Sequence, residues 1–234
     1  MPRFSIIVPV FDEAAGIADA LAALAPFRRR GVEVIVVDGG SSDTTVELAR
    51  PHADRVLHAP RGRAVQMNAG AEAARGDVLL FLHADTRLPP HADELLLNAL
   101  TKENASIWQW GRFDVQIDSS NPLLALVAGM MNWRSQITGI ATGDQAMFVT
   151  RRAFTQAGGF PDQALMEDIA LSKRLKRIGR PLCLAARVVT SGRRWERGGV
   201  LRTILLMWRL RLAYFFGAEP AALARRYGYV PRDG

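Results

Sequence analysis

The feature that most constrains this chain is a set of short, continuous apolar runs that stop at acidic turns. Residues 4–10, 32–37 and 78–82 are almost wholly apolar, and the second and third run into Asp38 and into His83-Ala84-Asp85. Runs of that length without alternation are expected of strands covered on both faces. Between them Ile17, Leu21 and Leu24 recur at helical spacing, with Pro26 expected to end that helix. Residues 56–58 form a short strand on this reading, and 63–74 an Ala-rich helix closed by Arg75-Gly76. A further helix follows Pro89-Pro90, over 91–100. Strand alternating with helix predicts an α/β fold, a mostly parallel central sheet flanked by helices.

The second half changes character. Residues 107–117 favour a strand, 121–136 a helix and 146–149 a short strand, with a turn at Gly158-Gly159-Phe160-Pro161. Over 167–178 acids open a helix, Leu171, Leu175 and Ile178 line one face, and Gly179 supplies the stop. With 234 residues and 49% hydrophobic side chains, the chain suffices for one substantial core. Residues 1–190 are expected to form one domain. Residues 191–234 are expected to form a basic, apolar helical extension on the domain or on a membrane surface.

The net charge of +7 is unevenly placed. Residues 170–234 hold 15 of the 30 Lys and Arg but only three acids, Glu196, Glu219 and Asp233. That asymmetry fits either an anionic partner or a solvated basic face. Nucleic acid is not expected as a partner, since only the basic tail would argue for it. The single cysteine, Cys183, excludes an internal disulfide and a thiolate cluster, and its apolar surroundings predict a buried core residue. Met1-Pro2-Arg3 runs straight into the first strand, unlike a secretory leader, and no stretch reaches the ~18 apolar residues of a spanning helix. A cytoplasmic location follows, with peripheral membrane contact left open. Residues 200–216 are rich in Leu, Trp and aromatics; Arg202 and Arg209 share a helical face while Arg211 falls on the apolar side. An interfacial helix on anionic lipid, a core helix and a dimer-forming helix all fit that pattern.

In open α/β sheets, ligands bind at the carboxyl ends of the strands. Asp38-Gly39-Gly40-Ser41-Ser42-Asp43 lies at one such end, where glycines let a ligand approach the backbone and Ser41, Ser42 and Asp43 can cap the next helix. His83-Ala84-Asp85-Thr86 lies at another, and a carboxylate there suits a hard divalent cation that also takes phosphate oxygens. Glu167-Asp168 stands at a helix start, where paired acids also complement the helix dipole.

Taken together, Asp38, Asp85 and Asp168 at these boundaries resemble the inverting family 2 glycosyltransferases of the GT-A fold, over residues 4–179. Phe4 to Val10 with Phe11-Asp12-Glu13 is similar to that family's opening strand and acidic turn, and places Pro9, Asp12 and Glu13 in its nucleotide-sugar site. The resemblance makes Asp38 the base-recognising aspartate and Asp43 the second acid of its loop, with Gly39 and Gly40 between them. Gly62, Arg63, Asn68, Gly70, Ala74, Arg75, Gly76 and Asp77 lead into the metal-binding strand, Arg63 and Asn68 being counted as donor contacts. Asp85 matches the final aspartate of the D-x-D motif, with Ala84 beside it, and implies Mn²⁺ or Mg²⁺. Gly158-Gly159-Phe160 and Glu167-Asp168 match the acceptor-side turn and acidic pair, with Asp168 as catalytic base and Glu167 its neighbour.

Two positions depart from the family. His83 occupies the first D-x-D position, where it would bond the ribose or a phosphate, or ligate the cation. Ser191-Gly192-Arg193-Arg194-Trp195 partly resembles the Q-x-x-R-W motif of processive synthases, with Ser191 in place of Gln; Arg194 is counted as a donor contact. A non-processive enzyme is expected, transferring sugar from a nucleotide diphosphate sugar to a hydroxyl acceptor. His-Ala-Asp-Thr with Met-Glu-Asp further resembles a small bacterial subgroup associated with arsenosugar biosynthesis. A nucleotidyltransferase and a catalytically inactive sugar-nucleotide-binding or membrane-tethering protein stand as alternatives, and no oligomeric state is read, although a dimer fits.

Overall fold

β1 (Phe4–Val10) lies where the first apolar run predicts it, with nearly every side chain buried. The structure is a computed structural model that describes residues 4–100 and 108–229, the side chains of Arg194 and Arg197 excepted. After α1 (Ile17–Ala22), Pro26 does not end the helix as expected. It stands in the first turn of α2 (Ala25–Arg29), where its missing N–H breaks no helical bond. β2 (Glu33–Asp38), α3 (Thr45–Ala49), β3 (Arg55–His58), α4 (Arg63–Ala73) and β4 (Val78–Phe81) complete the first half. Its strands run in the order β3-β2-β1-β4, all parallel, so their carboxyl ends share one edge.

The second half mixes strand directions. It comprises β5 (Thr86–Arg87), α5 (Ala92–Leu100), β6 (Trp110–Asp118), α6 (Pro122–Thr138), β7 (Phe148–Thr150), α7 (Arg151–Gln156) and α8 (Glu167–Leu175). β8 (Leu182–Ser191), α9 (Arg193–Gly198), α10 (Val200–Phe215) and α11 (Pro220–Tyr227) follow. β7 pairs antiparallel with both β4 and β6, β8 lies parallel to β6, and β5 closes the edge antiparallel to β8. The result, among the described residues, is one mixed eight-stranded sheet flanked by helices.

Several expectations shift. β6 is entered at Trp110, and Ile107, where the strand was expected to begin, lies outside the described residues. β7 starts at Phe148 because Ala146 takes a left-handed conformation, φ 45°, closing a short turn over 143–145. β8 has no counterpart in the apolar-run pattern, since Ala185, Ala186 and Arg187 interrupt it. Cys183 lies on that strand and is half-buried rather than a core residue.

Alternation along the strands divides the core in two. Ile6, Val8, Val34, Val36 and Leu80 face one side of the sheet, and Ile7, Ile35, Val37, Leu79 and Phe81 the other. A third cluster joins Leu165, Met166 and Ile169, around the start of α8, to Leu210 of α10 and Leu223 of α11. Leu210 and Leu223 are almost fully buried, each contributing roughly 1.5–3 kcal/mol. They anchor the C-terminal helices beside α8.

Candidate active site

At the common carboxyl edge, the loops after β1 and β2 hold each other. Asp38 is 1% exposed, and its carboxylate accepts from Gly40 N (3.0 Å), Ser41 N (3.1 Å) and Ser41 Oγ (2.5 Å), with His58 Nδ1 at 3.3 Å. Asp12, at φ 50°, accepts from Ser42 N at 2.8 Å. Asp43 accepts from Ala14 N and from the Thr45 amide and hydroxyl. The Thr45 hydroxyl and these amides hold the Asp43 carboxyl below the usual range, against the opposing pull of desolvation. Backbone N–H groups that a ligand would otherwise meet are thereby satisfied within the protein.

Gln66, which sequence reasoning passed over, fixes this edge. Its Nε2 donates to Val10 O and Val37 O, both at 2.8 Å, tying the ends of β1 and β2 to α4. The available signal was its place on the buried face of α4, among Ala64, Met67, Gly70 and Ala71. Asn68, expected at the donor, instead exchanges two bonds with the backbone of Phe160: Nδ2 donates to its O (2.8 Å) and Oδ1 accepts from its N (3.0 Å). It thus fixes the Gly158-Gly159-Phe160 turn. Gly159 sits at φ 63°, and a Cβ there would come within 2.8 Å of Asn68 Oδ1, so no other residue fits.

A cavity of about 410 Å³ opens beside these loops, within the range of small-molecule sites. Among the expected site residues, Pro9, Glu13, Arg63, His83, Ala84, Asp85, Glu167 and Asp168 line it. Asp12, Asp38, Gly39, Gly40, Asp43 and Asn68 do not line it, and Asp12, Gly40 and Asp43 are exposed to solvent. The Arg194 side chain lies outside the described residues.

Asp168 is presented by the first turn of α8, whose start is set by Met166 at φ 66°. Its Oδ2 accepts from Gly143 N at 2.9 Å and its Oδ1 from Ile169 N at 2.7 Å, which fixes the carboxylate while leaving lone pairs toward the cavity. Glu167 beside it is 4% exposed and pairs with Arg63 at 3.8 Å, joining the starts of α8 and α4. Burial raises the Glu167 carboxyl above its ordinary range, against the pull of Arg63.

His83 turns toward Asp144, Nδ1 to Oδ1 at 3.5 Å. Burial is the largest influence and would lower its pKa, but the bond to Asp144 together with the charges of Asp144 and Asp85 raises it above the usual value. A Cβ at Gly143 would lie 2.3 Å from His83 Nε2, so the glycine there makes room for the ring. His83 therefore joins β4 to the 143–145 turn that also holds Asp168. Near Asp85, burial and then the Asp85 charge raise the carboxyl of Glu13. Two carboxylates lining the same space fit a divalent cation completed by phosphate oxygens and water. Among the described residues no cluster of three or more His, Cys, Asp or Glu provides a fuller cage.

The C-terminal segment, expected as an appendage, supplies much of the remaining wall: Trp195, Thr203, Met207, Arg211, Tyr227 and Tyr229. Arg61 stacks over Phe11 at 4.0 Å and lies 5.2 Å from the Tyr229 ring centre, linking the tail to the β1 loop. No helix among the described residues is long and apolar enough to cross a membrane.

Known proteins resemble this chain in sequence or in fold. The chain is 25% identical over 245 residues to a probable glycosyltransferase, YdaM, of Bacillus subtilis, covering 95% of this chain and 57% of that protein. It thus spans little more than half the length of that relative. The mannosyltransferase PcManGT of Pyrobaculum calidifontis, solved with GDP-Man and Mn²⁺, superposes with a TM-score of 0.64 at 24% identity, over 98% of this chain and 66% of that one. Glucosyl-3-phosphoglycerate synthase of Mycobacterium tuberculosis, solved with Mn²⁺, UDP and glucosyl-3-phosphoglycerate, gives 0.63 at 20% identity, over 100% of this chain and 82% of that one. These likenesses are of fold, a GT-A-like sheet with flanking helices. Residues 5–158, well over half the chain and including the ends of β1, β2 and β4, match the glycosyl transferase family 2 domain, and the chain belongs to that family.

Proposed function

We propose that this glycosyltransferase moves a sugar from a nucleotide diphosphate sugar to an acceptor hydroxyl with inversion, non-processively, one sugar per encounter with the acceptor. The observation that carries the reading is Asp168, a carboxylate fixed by two backbone N–H groups on the wall of the cavity that Asp85 also lines. Asp168 takes the proton of the acceptor hydroxyl as it attacks the anomeric carbon, a role typically worth ~10²–10⁴-fold in rate. Asp38 shapes the loop against which the nucleotide base rests, and Arg63 and Glu13 face the rest of the donor. Asp85, with Glu13 beside it, would hold Mn²⁺ or Mg²⁺, and such an ion offsets charge on a departing diphosphate. Similar proteins solved with UDP or GDP-Man and with Mn²⁺ support the donor class and the cation. The arsenosugar subgroup remains a reading of His83-Ala84-Asp85-Thr86 and Met166-Glu167-Asp168 and gives neither sugar nor acceptor an identity.

The partner on the outside of the molecule is, on this reading, an anionic lipid surface. α6 exposes Leu126, Trp133 and Ile137, and α10 exposes Leu201, Leu205, Trp208, Leu212 and Phe215, each at least 60% exposed. The basic excess of residues 170–234 complements the anionic cytoplasmic leaflet, and aromatics with leucines suit the headgroup boundary.

The test of transfer uses a panel of nucleotide diphosphate sugars with Mn²⁺ or Mg²⁺, following release of the nucleoside diphosphate and, by NMR, the anomeric configuration of the first product. Inversion is expected. Retention of configuration would remove the base role from Asp168.

A further inference from the structure

Two arginines on the α6–α10 side of the site carry buried guanidinium nitrogens that bond nothing among the described residues. Arg134 projects from α6 and Arg211 from α10, and Arg211 lines the cavity together with Asp168. Nε and Nη2 of Arg134 and Nε of Arg211 are buried without a hydrogen-bond partner. Among the described residues neither guanidinium has a carboxylate within ion-pairing distance, 4.0 Å. The nearby acids are engaged elsewhere: Glu167 with Arg63, Asp144 with His83, and Asp168 with two backbone amides. The two cations feel each other: burial, and then the charge of Arg211, bring the Arg134 pKa down to about 10.

A buried guanidinium N–H left unbonded is costly, because it gives up its water without gaining a partner, and more so when charged. Two such cations set side by side add repulsion. This arrangement makes sense if an anion completes it, because the planar guanidinium fork matches phosphate oxygens. A phosphate monoester carries about −1.5 to −2 charge at pH 7, which balances two cations where a carboxylate balances one.

We propose that Arg134 and Arg211 form an acceptor subsite for a phosphate monoester, so that the acceptor whose hydroxyl meets Asp168 carries a phosphate. The inference rests on the transferase reading and adds the acceptor's chemical class. The phosphate is supplied either by a soluble phosphorylated acceptor or by a lipid headgroup reaching the site along the exposed faces of α6 and α10.

The experiment measures binding by calorimetry with UDP and Mg²⁺ saturating, so that the diphosphate position is filled. The probes are glycerol 3-phosphate, glycerol, and vesicles of phosphatidylcholine with or without phosphatidic acid. The wild type is expected to bind glycerol 3-phosphate or the phosphatidic acid vesicles but not glycerol. Arg211→Gln and Arg134→Gln are expected each to weaken that binding at least about tenfold while UDP affinity and the thermal midpoint hold. Should either variant fold poorly, Arg211→Lys keeps the charge and the stem but loses the fork, and is expected to bind several-fold more weakly. Binding of the free phosphate ester identifies a soluble source, and binding of the vesicles alone a lipid one. Absence of phosphate-dependent binding in a wild type that holds UDP, or binding unchanged in the variants, overturns the subsite and leaves the transferase reading standing. A loss that falls on UDP instead assigns the arginines to the donor and overturns it too. Failure of the wild type to bind UDP removes the transferase reading and the subsite with it.

Discussion

The loops at the ends of β1 and β2 and the wall formed by α6 and α10 border one site but treat their polar groups in opposite ways. In the loops, Asp12, Asp38 and Asp43 are all bonded to neighbouring backbone or hydroxyl groups, and Gln66 ties the strand ends together. On the α6–α10 wall, guanidinium N–H groups of Arg134 and Arg211 are left over, and the outward faces are apolar and bare. A region whose polar groups are satisfied internally keeps its shape without a ligand. One with surplus donors and exposed apolar surface is completed by something that arrives. On the function proposed above, the loops would serve as a preformed donor cradle and the wall as the side where acceptor and lipid enter.

The largest expected effect lies where the two regions meet. Asp168→Asn keeps the shape of the side chain and one of its two oxygen-to-amide contacts, since the new NH2 cannot accept, and it removes the base. Turnover is expected to fall ~10²–10⁴-fold with donor affinity nearly unchanged. Weakened donor binding with preserved turnover would move Asp168 to the donor side and blur the division. Next is Gln66→Leu, which strips two buried carbonyls, Val10 O and Val37 O, of their donor. A loss of about 2–4 kcal/mol in denaturant unfolding is expected. Arg134→Met, on the opposite wall, is expected to cost nothing or to stabilise slightly, since it removes unbonded groups. Equal losses at the two positions would break the comparison. Smaller still is the effect of Trp208→Ser with Leu212→Ser. Both side chains are about 60% exposed, 62% and 60%, so stability is expected to change by roughly 0.5 kcal/mol or less. Binding to phosphatidylcholine–phosphatidylglycerol vesicles is expected to weaken about tenfold or more, as the loss of roughly 1.5–3 kcal/mol per buried apolar side chain requires. Unchanged vesicle binding would take the lipid surface out of the account.

The same contrast explains what the sequence made legible. β1, β2 and β4 are buried on both faces, so their apolar runs mark them to within a residue. The acids that follow them are visible because a strand end forces them to one edge. β8 escaped because it is only half-buried, with Ala185, Ala186 and Arg187 in its middle, and it takes its place by pairing with β6 across a bulge. Pro26 was misread because proline ends one helix and begins another with the same fixed φ. Arg211 looked out of place on an amphipathic projection because α10 has two faces with different work. Leu201, Leu205, Trp208 and Leu212 point outward, while Thr203, Met207 and Arg211 line the cavity. No local pattern shows that a helix near the chain's end closes a site built by its beginning. Gln66 likewise looks like an ordinary polar helix residue until the fold brings it against Val10 and Val37, and Asn68, counted as a donor contact, shows its bonds to Phe160 only in the fold.

The most direct test is thermal unfolding of the wild type against a panel of nucleotide diphosphate sugars, with and without Mn²⁺. A donor held at 100 times its Kd adds about 2.7 kcal/mol, which for a chain of this size raises the midpoint by about 5–10 °C. The account predicts such a rise for one class of donor, dependent on Mn²⁺ and lost in Asp85→Asn. No rise with any nucleotide diphosphate sugar, or an equal rise in Asp85→Asn with and without the metal, would contradict it.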